Sequence, residues 1–203
     1  MFYYERKFKS LGFKDIIGVD EAGRGPLAGP VVAAAVILKT NRFYQRIDDS
    51  KKLSVHQREK AYLEITRSCL FGIGIISEKV IDAFNILEAT RLAMENAVFS
   101  LLRKFKNPDM NRIHILVDGN VKLSLPYSFT NIVRGDSRSK TIAAASIIAK
   151  VFRDRVMAIY DKIYPNYCFL QHKGYPTSQH RILLSKFGPC LIHRKSFCGV
   201  AQN

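Results

Sequence analysis

Residues 31–38 read Val-Val-Ala-Ala-Ala-Val-Ile-Leu, eight apolar positions without a polar break. A half-exposed strand alternates polar and apolar residues, and a surface helix shows a polar face; this run does neither. Its shortness and its β-branched residues read as a strand buried on both faces. Such a strand needs cover on each side, which calls for a sheet with helices packed on its faces. Upstream, Asp15 to Asp20 reads as a first strand, followed by a Gly/Pro-rich turn from Ala22 to Pro30. Further strands are expected at Phe71–Ile76, Ile113–Val117 and Asn131–Val133. Ser54-Val55-His56-Gln57 matches a capping box and predicts a helix over Val55–Arg67. Glu78 to Phe105 reads as helical with a break near Phe84-Asn85, and Ser137 to Tyr160 as one long helix. The middle of that long helix, Ile142 to Ala149, is apolar almost all round, as expected where a helix lies against a sheet. A loop from Tyr164 to Pro176 and a helix from Ser178 to Phe187 follow. The expected class is α/β: a mixed sheet flanked by helices over residues 1–160, with a small helical portion over 161–203 in the same compact unit.

A chain of 203 residues can bury a core without disulfides. The four cysteines, Cys69, Cys168, Cys190 and Cys198, form no Cys-x-x-Cys pair, so neither a zinc ribbon nor a redox motif is indicated. Scattered single thiols fit a reducing compartment. The first residues lack the order of a signal peptide, and no apolar run approaches the length of a membrane span. A cytoplasmic location is expected. There are 32 Lys+Arg against 17 Asp+Glu, a formal net charge of +15. A phosphate backbone is the commonest partner for such an excess, with anionic membrane as the other candidate.

Against this basic background, three expected strands end in carboxylates. Asp20-Glu21 closes the first, Asp118 follows Ile113–Val117, and Asp136 follows Asn131–Val133. If these strands are neighbours, four carboxylates converge at one sheet edge and repel one another. Cations would let them coexist, and oxygen donors suit Mg²⁺ or Mn²⁺ rather than zinc. A concentrated acidic site in a basic chain is otherwise at odds with a polyanionic partner; two cations held by Asp/Glu, bridging a phosphate, resolve the conflict. Taken singly, Asp118-Gly119-Asn120 and Gly135-Asp136 read equally as ordinary turns.

Gly23-Arg24-Gly25-Pro26-Leu27-Ala28-Gly29-Pro30 fails two phosphate-cradle patterns. It lacks the Gly-Lys-Ser/Thr of a P-loop, and its third glycine is one place late for a dinucleotide fingerprint. A glycine pair flanking Arg24 suits close backbone approach to a sugar–phosphate chain, where main-chain groups could bond a 2′-hydroxyl. A tight turn with an exposed arginine is the alternative.

These segments resemble ribonuclease HII, the bacterial type 2 ribonuclease H. The resemblance runs through Gly18 to Val32, Asp49-Ser50-Lys51-Lys52-Leu53-Ser54, Val117 to Asn120, Gly135-Asp136-Ser137 and Ala143 to Val151 with Arg153-Asp154. It continues through His172-Lys173-Gly174-Tyr175-Pro176-Thr177 and His193-Arg194-Lys195-Ser196-Phe197, in the family's order and over nearly the whole chain. The Gly-Arg-Gly form and the absence of an N-terminal extension argue for this family over ribonuclease HIII, its nearest relative. The resemblance implies a ribonuclease H-like fold and a catalytic, metal-binding quartet of Asp20, Glu21, Asp118 and Asp136, holding two Mg²⁺ or Mn²⁺ ions. It implies that Gly23-Arg24-Gly25 reads the 2′-hydroxyl, that Tyr175 stacks on the next sugar, and that Lys51 and Lys52 touch phosphate. The implied substrates are RNA–DNA hybrids and duplex DNA containing ribonucleotides, cut to leave 3′-hydroxyl and 5′-phosphate ends, by a chain expected to act as a monomer.

Asp154 falls outside the quartet, since on a straight helix it would lie roughly 27 Å from Asp136. Lys150 and Arg153 are expected to serve structure more than substrate, and His172, His180 and His193 make no metal set at useful spacing. Three rival functions remain: a DNA-only nuclease, a non-catalytic nucleic-acid binder, and a phosphatase for small substrates.

Overall fold

The computed structural model describes residues 1–105 and 109–200. Five strands, β1 (Asp15–Ala22), β2 (Val31–Leu38), β3 (Cys69–Ile76), β4 (Ile113–Asp118) and β5 (Ser128–Ile132), form one sheet in the order β3-β2-β1-β4-β5. β1 and β2 pair antiparallel, as do β2 and β3; β1–β4 and β4–β5 are parallel. The expected mixed α/β sheet is therefore present. β2, the apolar run, has both neighbours paired and both faces buried.

Alternation along β2 divides the core. Val31, Ala33, Ala35 and Ile37 face α4 (Ile86–Leu102), meeting Ala89, Ala93, Met94 and Ala97. Ala34 and Val36 face the other way, onto α5 (Lys140–Ile163) and α2 (Val55–Ser68), with Ala143, Ala144, Ile147 and Ile65. Small residues let both helices seat closely. A Cβ on Gly18 of β1 would lie 2.3 Å from the Thr141 carbonyl carbon of α5. On the opposite face, a Cβ on Gly74 of β3 would lie 2.0 Å from the Ala93 carbonyl oxygen of α4. The break at Phe84-Asn85 separates α3 (Glu78–Phe84) from α4; Asn85 has φ 75° and caps α4 through Oδ1. The C-terminal portion holds the short α6 (Phe169–His172) and α7 (Ser178–Phe187). Among the described residues no helix is long and apolar enough to cross a membrane, and all four cysteines are free.

Several elements differ from the sequence reading: β3 starts two residues earlier, at Cys69, and the short α6 lies within the segment read as a loop. The long helix starts at Lys140, because the Ser139 side chain accepts from Ile142 N–H and acts as its N-cap. β5 starts at Ser128, its half-polar residues ordered by pairing with β4. A helix without a predicted counterpart, α1 (Tyr3–Ser10), packs beside β1. Its buried Glu5 accepts from Ser139 Oγ, Thr141 N–H and Thr141 Oγ, capping α5 from outside. Phe8 of α1 stacks on His114 of β4 with centroids 3.7 Å apart.

His114 lies buried, its nitrogens bonded to Ser128 Oγ (2.7 Å) and Thr130 Oγ1 (3.0 Å). Burial pushes its pKa down to about 4 from 6.5. The sign follows directly: below pH 6.5 the unfolded chain takes up this proton before the folded one does. Stability present above that pH is lost as pH falls toward 4. Replacing His114 with Gln is therefore expected to make the stability loss between pH 7 and pH 5 smaller by about 2 kcal/mol. Urea unfolding of both proteins at the two pH values measures this; parallel losses would mean that the imidazole is not held neutral.

Candidate active site

The parallel register places Val19 beside Val117, so the next residues of β1 and β4, Asp20 and Asp118, lie just past the end of the β1–β4 pairing. β1 itself runs two residues beyond Asp20, to Ala22, paired with β2. Asp118 Oδ1 accepts from Gly135 N–H at 2.6 Å, which draws the turn bearing Asp136 against it. Asp20 is 5% exposed and Asp136 8% exposed. Burial raises the pKa of Asp20 well above the usual carboxylate range, and the charges of Glu21 and Asp118 add to it. Glu21 is raised by burial and by Asp118, against the opposing pull of Arg24, whose Nη1 lies 3.5 Å from Glu21 Oε1. Asp136 is raised by burial, then by Asp49 and Asp118. The four carboxylates predicted from strand ends are thus linked through Asp118, whose charge bears on Asp20, Glu21 and Asp136.

Among the described residues, no three His, Cys, Asp or Glu side chains are already drawn into a ligand cage. The chemistry of the donor set fits a dication nonetheless. Every donor is a carboxylate oxygen, and burial with mutual repulsion opposes full ionisation of at least three of them. A hard cation would offset that repulsion.

Asp49 and Ser50 were part of the recognised motifs, but their roles were not legible in the sequence, nor was that of Ser146. Asp49 accepts from Lys51 N–H and caps the 3-10 turn Ser50–Lys52. Ser50 Oγ bonds Ser146 Oγ at 2.9 Å, and the Ser146 hydroxyl lies near enough to Asp20 to favour its ionised form slightly. This pins the turn over the carboxylates and points Lys51 at them. Burial opposes the charge on Lys51, but Asp20, Asp49, Asp136 and Asp118 outweigh it and raise its pKa. Lys52 turns away and pairs with Asp48 at 3.6 Å.

A cleft of about 580 Å³ opens beside this edge. Asp20 and Glu21, the Gly23-Arg24-Gly25 turn, Lys51, Lys150 and Tyr175 share its lining. Lys52 does not line it. Lys150 pairs with Asp154 at 2.8 Å and holds its ammonium 5.6 Å from the Tyr175 ring centre. Asp154 is engaged there, away from the carboxylate edge. Gly23 needs its φ of 106°, and a Cβ on it would strike Arg153 Nε at 2.2 Å. Gly25 is different: a Cβ there would find only Tyr175 Cε1, at 3.9 Å.

The three C-terminal histidines are buried; His180 and His193 are hydrogen-bonded to each other, and His172 stacks on His180. His180 Nδ1–H donates to the Tyr175 carbonyl (2.9 Å), and its Nε2 accepts from His193 Nε2–H (3.1 Å). His193 Nδ1 accepts from Cys190 N–H (2.9 Å), while His172 donates to the Tyr167 carbonyl and accepts from Gly174 N–H. One set of neutral tautomers satisfies all six ring nitrogens. Burial lowers all three pKa values, that of His193 to about 4. They support the backbone around Tyr175 and present no free nitrogen to a substrate.

The ribonuclease HII family model matches residues 17–200. Ribonuclease HII of Syntrophus aciditrophicus is 51% identical over 198 residues, covering 97% of this chain and 90% of that protein. The structure of ribonuclease H2 from Pyrococcus horikoshii OT3 superposes with a TM-score of 0.74 at 24% identity, covering 92% of this chain and 95% of the other. Bst-RNase HIII in complex with Mn²⁺ gives 0.67 at 15% identity, covering 95% and 70%. These last two establish the shared ribonuclease H-like fold. With a match over nearly its whole length and carboxylates gathered at the shared sheet edge, the chain belongs to the ribonuclease HII family of endoribonucleases.

Proposed function

We propose that the chain is a divalent-metal-dependent endonuclease that cuts the RNA strand of RNA–DNA hybrids and nicks duplex DNA 5′ to embedded ribonucleotides. The products carry 3′-hydroxyl and 5′-phosphate ends, so the ribonucleotide stays at the 5′ end of the downstream fragment. The observation that carries this reading is the cleft in which Asp20, Glu21, the glycine turn and Tyr175 share one lining, with Asp118 and Asp136 behind it. Two bound Mg²⁺ or Mn²⁺ ions, held by Asp20, Glu21, Asp118 and Asp136, would supply the Lewis-acid chemistry of phosphodiester hydrolysis. The Mn²⁺ complex of Bst-RNase HIII supports the choice of ion. Lys51 offers the scissile phosphate a cation beside those carboxylates, and Lys52 meets the backbone outside the cleft. The backbone of Gly23 to Gly25 bonds the 2′-hydroxyl. Tyr175, 38% exposed, stacks on the following deoxyribose, where an added hydroxyl would disturb the contact. The two readers together select an RNA-to-DNA junction. We place the chain in the cytoplasm as a monomer, in keeping with its free thiols.

The test is a labelled DNA duplex with one ribonucleotide beside an all-DNA duplex, each with Mg²⁺ or EDTA. A single metal-dependent nick 5′ to the ribonucleotide, with all-DNA intact, is expected. Equal cutting of both would replace the reading with a DNA nuclease, and tight binding without cutting would replace it with a non-catalytic binder.

Gly25→Ala separates reading from folding. The new methyl group meets no backbone, so the unfolding midpoint should hold or rise slightly. The methyl group would stand between the turn and Tyr175, so kcat/KM on the single-ribonucleotide duplex should fall about 10²-fold. Unchanged cleavage by a normally folded variant would remove Gly25 from the reader.

A further inference from the structure

Two arginines, Arg153 and Arg194, are completely buried, each 0% exposed. Among the described residues neither has a carboxylate within 4.0 Å. A buried cation without a counter-ion is costly, and a core that needed only volume would use apolar side chains. What these guanidinium groups touch instead is backbone. Arg194 Nη2 donates to the Gly23 carbonyl (2.6 Å) and Nη1 to that of Arg24 (3.1 Å); Nε and Nη2 share the carbonyl of Gly29. Arg153 donates from Nε to Pro30 (3.0 Å), from Nη2 to Ala28 (3.1 Å) and from Nη1 to Lys173 (3.0 Å).

The acceptors fall on both sides of the cleft. Five belong to the turn between β1 and β2, and the sixth, Lys173, lies two residues before Tyr175. Arg153 thus ties the glycine turn to the loop bearing the aromatic ring, and its guanidinium lies 5.8 Å from that ring's centre. Neighbouring main-chain bonds complete the weave: Leu27 N–H to Gly174 O and Arg194 N–H to Leu27 O, both 2.8 Å.

We propose that Arg153 and Arg194 are positioning residues that set the spacing of the glycine turn and Tyr175, and so the preference for a ribonucleotide junction. This rests on the reading of Gly23–Gly25 and Tyr175 given above. A planar fork of fixed donors can hold several carbonyls in one array, whereas the compact ammonium of lysine cannot reach the same set. Misplacement of one reader by about 1 Å is enough to cost roughly 10²-fold in rate.

The test compares wild type, Arg194→Lys, Arg153→Lys and, as a control, Arg155→Lys, an exposed arginine of α5 paired with Glu59. Each is assayed on the single-ribonucleotide duplex and on a uniform RNA–DNA hybrid without a junction, well below its own Tm. With Arg194→Lys, kcat on the junction substrate should fall roughly 10²-fold with little change in KM. Its preference for the junction over the uniform hybrid should shrink, while Arg155→Lys matches wild type. Arg153→Lys supplies the same comparison should Arg194→Lys not fold. A lysine variant that keeps both kcat and preference overturns the inference. So does a loss that disappears on cooling, which would reduce the arginines to a stability role. A wild type without ribonucleotide preference would instead overturn the underlying reading, and that outcome is visible before any variant is made.

Discussion

Replacing Asp20 with asparagine is expected to lower kcat by roughly 10³-fold or more, since several kcal/mol of charge stabilisation in the transition state would go. The same change is expected to make the metal-free protein more stable at pH 8. Asp20 is buried beside Glu21 and Asp118, and its folded pKa is raised. For a carboxyl raised on folding, the protonated form is the favoured one. Its contribution is fully present below the unfolded pKa and is lost as pH rises through the folded value. At pH 8 the ionised group carries the whole penalty, and asparagine carries none. Asparagine can also still accept the Glu21 N–H that Asp20 Oδ1 accepts at 2.7 Å. Thermal unfolding in EDTA should therefore show a higher midpoint for Asp20→Asn, with the gap closing as pH falls toward 4. Added Mg²⁺ should raise the wild-type midpoint, because it binds only the folded chain, and should raise that of the variant far less. An inactive variant that is also less stable in EDTA would mean that Asp20 serves the fold. A variant retaining a tenth of the activity would remove it from the catalytic set.

Gly18→Ala is expected to be among the most damaging small substitutions in the sheet. The added methyl carbon would lie 2.3 Å from the Thr141 carbonyl carbon and 2.5 Å from Ile142 N, both backbone atoms of the first turn of α5. No side-chain rotation relieves that contact; helix and strand must part. A loss of about 3 kcal/mol in urea unfolding is expected, at the upper end for overpacking. Activity should fall even where the variant stays folded, because α5 carries Ser146 and Lys150 to the cleft. A loss under about 1 kcal/mol would mean that α5 does not bear on β1 as closely as described.

Legibility in the sequence followed the range of the forces involved. The buried strand at 31–38, the capping box at Ser54 and the helix break at Asn85 depend on near neighbours, and the structure contains all three. Carboxylates at strand ends could be marked from the chain alone, and the ordered family motifs added a fold and an activity. α1 was missed because only Glu5 and Phe8 of it are buried. Glu5 caps a helix that starts 135 residues away, and no local pattern records such a partner. The half-polar start of β5 becomes strand only through its pairing with β4.

Lys51 and Lys52 show the same limit at the site. As a dipeptide they are equivalent, yet the 3-10 turn capped by Asp49 sends one toward the carboxylates and the other to Asp48. Arg153 is expected from the sequence to serve structure, but for neither it nor Arg194 does the sequence show the acceptors, more than a hundred positions distant for most of them. By itself, then, the sequence determined the alternation of elements, the basic surface and the donor types available to a cation, all of which follow from residue chemistry and short-range periodicity. The order of strands in the sheet, the meeting of Asp118 with Asp20 and with Asp136, and the arginine weave beneath the glycine turn were decided by tertiary structure alone, because each arises where packing closes long loops of chain onto one another.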